Sequence, residues 1–89
     1  MVNKQYWKDY SFLMRSKQRK MVIAIIDRPM TVTEVKKKTK LSLSETSRVL
    51  RHFKAEGLAH CLNPKDALGR IYQLTERGKR IKEKIKNLV

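Results

Sequence analysis

The sequence predicts a small, mainly α-helical domain that carries one β-hairpin, which places it in the α+β class. Its 89 residues suffice for one domain, and we expect a single domain over 1–89. Two helix-start patterns, Thr31-Val-Thr-Glu34 and Ser42-Leu-Ser-Glu45, follow each other closely. Further along, a segment rich in turn formers, 63–69, separates two short runs of strand-like composition.

The N-terminal part of the chain predicts two helices. The first covers about 4–15, where apolar residues recur on one helical face: Tyr6, Trp7, Tyr10, Leu13 and Met14. The second covers about 16–27 and has Ser16 as its capping residue. Its apolar run, 21–26, has β-branched residues, but the charged flanks and the following Pro29 favour a helix that ends before the proline.

A helix-turn-helix is predicted over about 31–56. Its first helix begins at the capping box of Thr31 and Glu34, with Met30 and Val35 at the two hydrophobic-staple positions. A turn of four residues then leads to the second helix. Two short helices joined in this way form the helix-turn-helix motif of DNA-binding proteins.

The second helix of the pair is amphipathic and has clear ends. It begins at Ser42 and ends at Gly57, where a left-handed residue would complete a Schellman motif. At about 100° per residue, the residues gathered on the inner side are Leu43, Thr46, Val49, Leu50 and Phe53. The residues on the outer side are Ser44, Ser47, Arg48 and Arg51, with Lys54 at its edge.

A hairpin and a last helix complete the chain. The hairpin, or wing, covers about 58–74, with strands at 58–62 and 70–74. The C-terminal helix covers about 75–89 and is capped by Thr75, while Gly78 weakens its first turn. Its narrow apolar stripe consists of Leu74, Ile81, Ile85 and Leu88.

The composition excludes several classes of protein. Cys61 has no second cysteine to pair with, and together with His52 and His60 it falls short of the four ligands of a zinc site. No run is long enough to cross a membrane, and no signal peptide is evident, so we expect a cytoplasmic protein without a membrane partner. No catalytic or phosphate-binding motif occurs, so we expect neither an enzyme nor a cofactor. The net charge of +14 favours nucleic acid as the partner.

In this arrangement the sequence resembles the archaeal winged helix-turn-helix transcriptional regulators, which are related in fold to the MarR and ArsR types. The resemblance covers most of the chain. It rests on five segments in the right order and spacing, among them Leu41-Ser-Leu-Ser-x-x-Ser47-Arg-Val-Leu-Arg51 and Gly69-Arg-x-Tyr72-x-Leu-Thr75-x-x-Gly78. It implies a three-helix core with a wing, flanked by the N-terminal aromatic helix and the C-terminal helix.

The resemblance also implies a binding site for double-stranded DNA. The second helix would enter the major groove, and the wing would lie on the flanking backbone or minor groove. The resemblance implies Ser44, Ser47, Arg48 and Arg51 as groove-facing residues, and Lys65 and Arg70 as wing contacts. Position alone adds Lys40, Ser42 and Lys54 to the predicted DNA-binding residues, since they lie at the two ends of the second helix. Arginine pairs well with guanine and serine with phosphates, which supports this assignment independently. Lys40 departs from the resemblance, because the family commonly has glycine there.

Two questions stay open from the sequence. Tyr6, Trp7 and Tyr10 either pack on the stripe of the C-terminal helix or join that stripe in a homodimer surface, and the homodimer is favoured. The predicted function is that of a sequence-specific transcriptional regulator, with a non-specific nucleoid or chromatin protein as the alternative. A protein-interaction module is the third interpretation, and the strong positive charge argues against it.

Overall fold

The computed structural model describes residues 4–66 and 68–87 and confirms the predicted α+β class. Within these residues, five helices and three short strands follow one another. They are α1 (Lys4–Met14), α2 (Lys17–Ile25), β1 (Met30–Thr31), α3 (Val32–Thr39), α4 (Leu43–Ala55), β2 (Ala59–Cys61), β3 (Ile71–Leu74) and α5 (Glu76–Asn87).

The sheet has three antiparallel strands in the order β1-β3-β2 rather than the predicted two. Met30 pairs with Tyr72 and Thr31 with Ile71, so the chain before α3 extends the hairpin. A strand of two residues is too short to show alternation in the sequence, and β1 was therefore missed. The two hairpin strands are also shorter than the predicted 58–62 and 70–74.

One hydrophobic core lies between the helices and the sheet. It is built from the inner faces of the five helices and the buried side of the sheet. Its side chains are 5% exposed or less, and they are Leu13, Val22, Ile23, Ile26, Met30, Val35, Val49, Leu50, Phe53, Leu58, Ala59, Tyr72, Leu74, Ile81 and Ile85.

Side-chain caps define the predicted helix starts. Ser16 Oγ accepts a hydrogen bond from the Arg19 N–H at 3.2 Å, so Ser16 caps α2 as predicted. Thr31 and Glu34 form the reciprocal capping box of α3, at 3.1 Å and 3.0 Å. The backbone N–H of Thr31 is the main cause that lowers the pKa of Glu34, followed by the guanidinium of Arg28. The cap thus holds Glu34 in its charged form.

An ion pair between a buried carboxylate and a partly exposed guanidinium joins α1 to α5. The Asp9 carboxylate is 3% exposed, and Arg77 Nε donates to it at 2.9 Å. Gln5 Nε2 donates to the same carboxylate at 2.9 Å, and Arg77 Nη2 also donates to the Glu56 carbonyl at the end of α4. One guanidinium therefore connects three helices, an arrangement that the sequence did not reveal.

Gly78 marks the closest approach of α5 to the rest of the chain. A Cβ atom at this position would lie 2.0 Å from the Leu58 carbonyl oxygen and 3.3 Å from Leu74 Cδ2. The sequence predicted only that this glycine weakens the first turn of the helix. Its structural role is instead to let the helix backbone pack directly on the backbone at Leu58.

The apolar stripes of the two terminal helices differ in burial. Ile81 and Ile85 are 1% and 2% exposed in the core of this chain, so the predicted use of the α5 stripe as a dimer surface is wrong. Tyr6 and Tyr10 pack at the edge of the same core, and Trp7 stays 53% exposed. Leu88, the last member of the predicted stripe, lies outside the described residues.

Candidate nucleic-acid interface

Helix α4 is held firmly at its N-terminal end. Ser42 Oγ accepts from the Glu45 N–H at 3.1 Å, and the buried Thr46 hydroxyl donates to the Ser42 carbonyl at 2.8 Å. The Glu45 carboxylate accepts from Gln18 Nε2 at 2.8 Å, which ties α4 to α2. The predicted reciprocal box at Ser42 is therefore replaced by a contact between two helices.

The C-terminal end of α4 has the predicted Schellman geometry. Gly57 is left-handed with φ +77°, and its N–H donates to the Lys54 carbonyl at 3.2 Å. The Leu58 N–H donates to the Phe53 carbonyl at 2.8 Å. These bonds satisfy carbonyl groups that the end of a helix otherwise leaves without partners. Both ends of α4 are thus fixed, so its outer face has one orientation.

The outer face of α4 gathers most of the residues that the sequence assigned to DNA. Ser44, Arg48 and Arg51 are exposed and Ser47 is half-buried. These four side chains line one shallow depression together with Leu43. Lys54 is exposed one turn beyond this depression. The chemistry of the face is that of two guanidinium forks beside two hydroxyl groups.

Leu43 corrects the prediction for the inner side of this helix. It is 54% exposed and lines the outer depression, whereas Val49, Leu50 and Phe53 are buried as expected. Its angular position is only about 40° from that of Ser47 on a helical projection. Because it is also the first residue of α4, no preceding turn covers it.

The turn before α4 contains a left-handed lysine. Lys40 is exposed, has φ 66°, and donates its N–H to the Lys36 carbonyl at 2.9 Å. Thr39 Oγ1 donates to the Val35 carbonyl at 3.0 Å and accepts from the Leu41 N–H at 3.3 Å. The turn thus keeps the conformation that favours glycine, and the lysine carries the strain of that conformation.

Replacing Lys40 with glycine is expected to raise the free energy of unfolding by about 1 kcal/mol. The left-handed conformation costs an ordinary residue roughly 1 to 2 kcal/mol, and the extra freedom of glycine in the unfolded chain offsets part of the gain. Urea denaturation at equilibrium measures the change. Lys37→Gly is the matched control, because Lys37 is exposed within α3 and should lose about 1 kcal/mol there. A Lys40→Gly protein that is less stable than the wild type would contradict the expectation.

The wing is closed at its neck by Asn63. The Asn63 side chain accepts from the Ile71 N–H at 2.7 Å and donates to the Gly69 carbonyl at 3.1 Å. It also donates to the Asp66 carboxylate at 2.9 Å. These three bonds span the loop, so one side chain defines where the wing begins. The sequence marked this segment only as a turn.

The two predicted wing residues differ in exposure and in their hydrogen bonds to the loop. Lys65 is exposed in the turn. Arg70 is half-buried, and its Nε donates to the Asp66 carbonyl at 2.9 Å, so part of its guanidinium braces the loop. Leu68 is 89% exposed and does not fold back onto the hairpin.

The other residues that the sequence singled out do not converge. His52 and His60 are exposed, and the half-buried Cys61 lies within reach of Asn63 Oδ1 at 3.6 Å. Within 4–66 and 68–87, no group of three metal-binding side chains comes together. In the same part of the chain, every helix is too short or too polar to cross a bilayer.

Comparisons with known proteins identify the fold. No protein-family model and no curated protein matches the sequence. A predicted DNA-binding transcriptional regulator from E. coli has a TM-score of 0.73 and 25% identity, over 93% of this chain and 90% of its own. A MarR-family transcriptional regulator from Silicibacter pomeroyi has a TM-score of 0.73 and 16% identity, over 96% of this chain and 64% of its own. The Multiple Antibiotic Resistance Repressor, MarR, has a TM-score of 0.65 and 27% identity, over 99% of this chain and 69% of its own.

The structural neighbours thus include MarR-family winged-helix transcriptional regulators, and the predicted winged-helix fold is confirmed. This chain spans 64% of the length of the Silicibacter regulator. The neighbours are transcriptional regulators and not enzymes, in line with the lack of a catalytic motif in the sequence.

Proposed function

We propose that this chain is a transcriptional regulator that binds specific sites on double-stranded DNA. The observation that carries the proposal is the outer face of α4, where Ser44, Ser47, Arg48 and Arg51 line one depression on a helix fixed at both ends. The likeness to the predicted DNA-binding regulator from E. coli supports it.

In the proposed complex, α4 lies in the major groove. Arg48 and Arg51 present planar forks of donors that match the O6 and N7 acceptors of guanine. Ser44 and Ser47 donate to bases or to phosphates. Ser42 lies where the backbone N–H groups of the helix start favour a phosphate. Lys40 and Lys54, at the two ends of α4, would add phosphate contacts that fix its register.

The wing would contact the backbone or minor groove beside this major-groove site. Lys65 supplies a free ammonium group for a phosphate, whereas Arg70 combines such a contact with its bond to the Asp66 carbonyl. Because Asn63 closes the neck of the loop, the cations are presented from a defined position. The wing adds affinity, and α4 supplies the base readout.

Selection of bound duplexes from a random pool tests this proposal. The purified chain is mixed with the pool at physiological salt, and bound duplexes are recovered and sequenced over several rounds. An enriched motif that contains guanines is the expected result. A flat profile despite binding would contradict sequence-specific recognition.

A non-specific nucleoid or chromatin-type protein is the second candidate. The distribution of charge favours it, because residues 1–20 hold six cations and one anion, and residues 75–89 hold six cations and two anions. Residues 42–57, which include α4, hold three cations and two anions. Most of the excess therefore lies in the two terminal segments, 1–20 and 75–89, where it attracts phosphates of any sequence. The flat profile described above is the result that this candidate predicts.

A homodimer belongs to the same proposal, although the α5 stripe is no longer available for it. Trp7 and Met14 are 53% and 39% exposed and lie two turns apart on α1. We expect a second copy to cover them, since tryptophan is enriched at interfaces. Light scattering at tens of micromolar should give twice the mass of the chain, and a monomer would remove the idea. The archaeal and cytoplasmic assignments stay predictions.

A further inference from the structure

Of the described residues that line the depression on the outer face of α4, Leu43 is the one with a large apolar side chain. It is 54% exposed, while its companions there are Ser44, Ser47, Arg48 and Arg51. The depression is thus a polar surface with a single apolar group at the N-terminal end of the helix. That end is the part of a recognition helix whose residues contact base edges.

The major groove offers few apolar groups to such a side chain. Base edges there present donors and acceptors, and the C5-methyl of thymine is the apolar exception. A leucine placed against the N4 amino group of cytosine would instead deprive that donor of water without replacing the hydrogen bond. The chemistry of an exposed leucine among hydrogen-bonding neighbours therefore discriminates in favour of thymine.

We propose that Leu43 contacts the C5-methyl group of a thymine and is a specificity-determining residue of this interface. The inference rests on the proposed function, because it requires α4 to lie in the major groove. It adds one element to that function, a preference for thymine at a position beside the bases contacted by Ser44 and Ser47. A docking site for another protein is the competing interpretation of the exposed leucine.

The test uses the duplex that the wild-type chain selects from a random pool. Each thymine of the enriched motif is replaced in turn by deoxyuridine, which removes only the C5-methyl group. For the wild type, we expect one position for each bound copy of the chain at which this replacement weakens binding about fourfold, the effect of losing one buried methyl group. At the other thymines, the ratio of the affinity for the thymine duplex to that for the deoxyuridine duplex should be near one.

Variants of Leu43 assign that position to this side chain. With Leu43→Ala, the affinities for the thymine duplex and the deoxyuridine duplex should become about equal at the sensitive position, so that their ratio falls to about one. Leu43→Met keeps an apolar side chain of similar size and should keep a ratio above one. Leu68→Ala makes the same truncation at the exposed wing residue and should leave the ratio unchanged. Circular dichroism checks that the variants are folded, and an exposed leucine should tolerate the change.

The outcomes separate this inference from the proposed function. An enriched motif without any methyl-sensitive thymine overturns the role of Leu43 and leaves sequence-specific binding intact. If Leu43→Ala leaves the methyl sensitivity of that thymine unchanged, the role of Leu43 is likewise overturned. If no motif is enriched at all, sequence-specific binding fails and the role of Leu43 fails with it.

Discussion

Replacing Gly78 with alanine is expected to lower the free energy of unfolding by about 2 kcal/mol or more. The added Cβ would lie 2.0 Å from the Leu58 carbonyl oxygen, a backbone atom that cannot turn aside. Overpacking of this kind costs roughly 1 to 3 kcal/mol, and more where the backbone must move. Alanine is favoured over glycine inside a helix by only about 1 kcal/mol, so the clash outweighs the gain. Urea denaturation at equilibrium measures the difference.

Gly69→Ala provides the comparison for this variant. No atom lies within 4 Å of a Cβ at Gly69, but its φ is +68°. The expected cost is therefore the left-handed conformation alone, roughly 1 to 2 kcal/mol. If Gly78→Ala proved as stable as the wild type, helix propensity would dominate at this position and the close approach of α5 would be overstated.

Replacing Arg51 with alanine is expected to weaken binding to the selected duplex by about 1 to 3 kcal/mol, with a relaxed preference at one base pair. Arg51 is exposed and lines the depression on α4, so its removal should not disturb the core. The loss would arise because the proposed bidentate contact of Arg51 to guanine has no replacement in alanine. Fluorescence anisotropy with the selected duplex and a scrambled duplex measures both affinities.

Lys65→Ala is the matched variant for a phosphate contact. It should weaken the selected and the scrambled duplex alike and lower the slope of log K against log salt by about one. Arg51→Ala should affect mainly the selected duplex. If both substitutions changed the two duplexes equally, the assignment of base readout to α4 would be wrong.

Local sequence signals were sufficient to predict α4 and its surroundings. The cap at Ser42, the Schellman end at Gly57 and the amphipathic spacing between them all act within a few residues of the chain. The outer face could be predicted for the same reason, since Ser44, Arg48 and Arg51 follow from helical periodicity alone. The capping box at Thr31 was equally visible.

Contacts between distant parts of the chain could not be predicted in this way. The contacts of Arg77 with Asp9 and the Glu56 carbonyl link segments far apart in the sequence, and the need for glycine at position 78 depends on where Leu58 lies. The prediction placed Leu43 on the inner side because a helical projection assumes that each residue is flanked by a preceding turn of helix. Leu43 is the first residue of α4, so no preceding turn covers it. The exposed face of a helix end thus depends on its tertiary neighbours as well as on its period.

The pairing of β1 with β3 has a mechanical consequence. Thr31 is a strand residue that pairs with Ile71 and is also the N-cap of α3. The residue that caps the first helix of the helix-turn-helix is therefore paired in the sheet with the returning strand of the wing, β3. A tilt of the wing would pull on the first turn of α3, and through it on α4. In the proposed complex, the wing and α4 would then keep a fixed spacing and favour duplexes whose adjacent grooves match it.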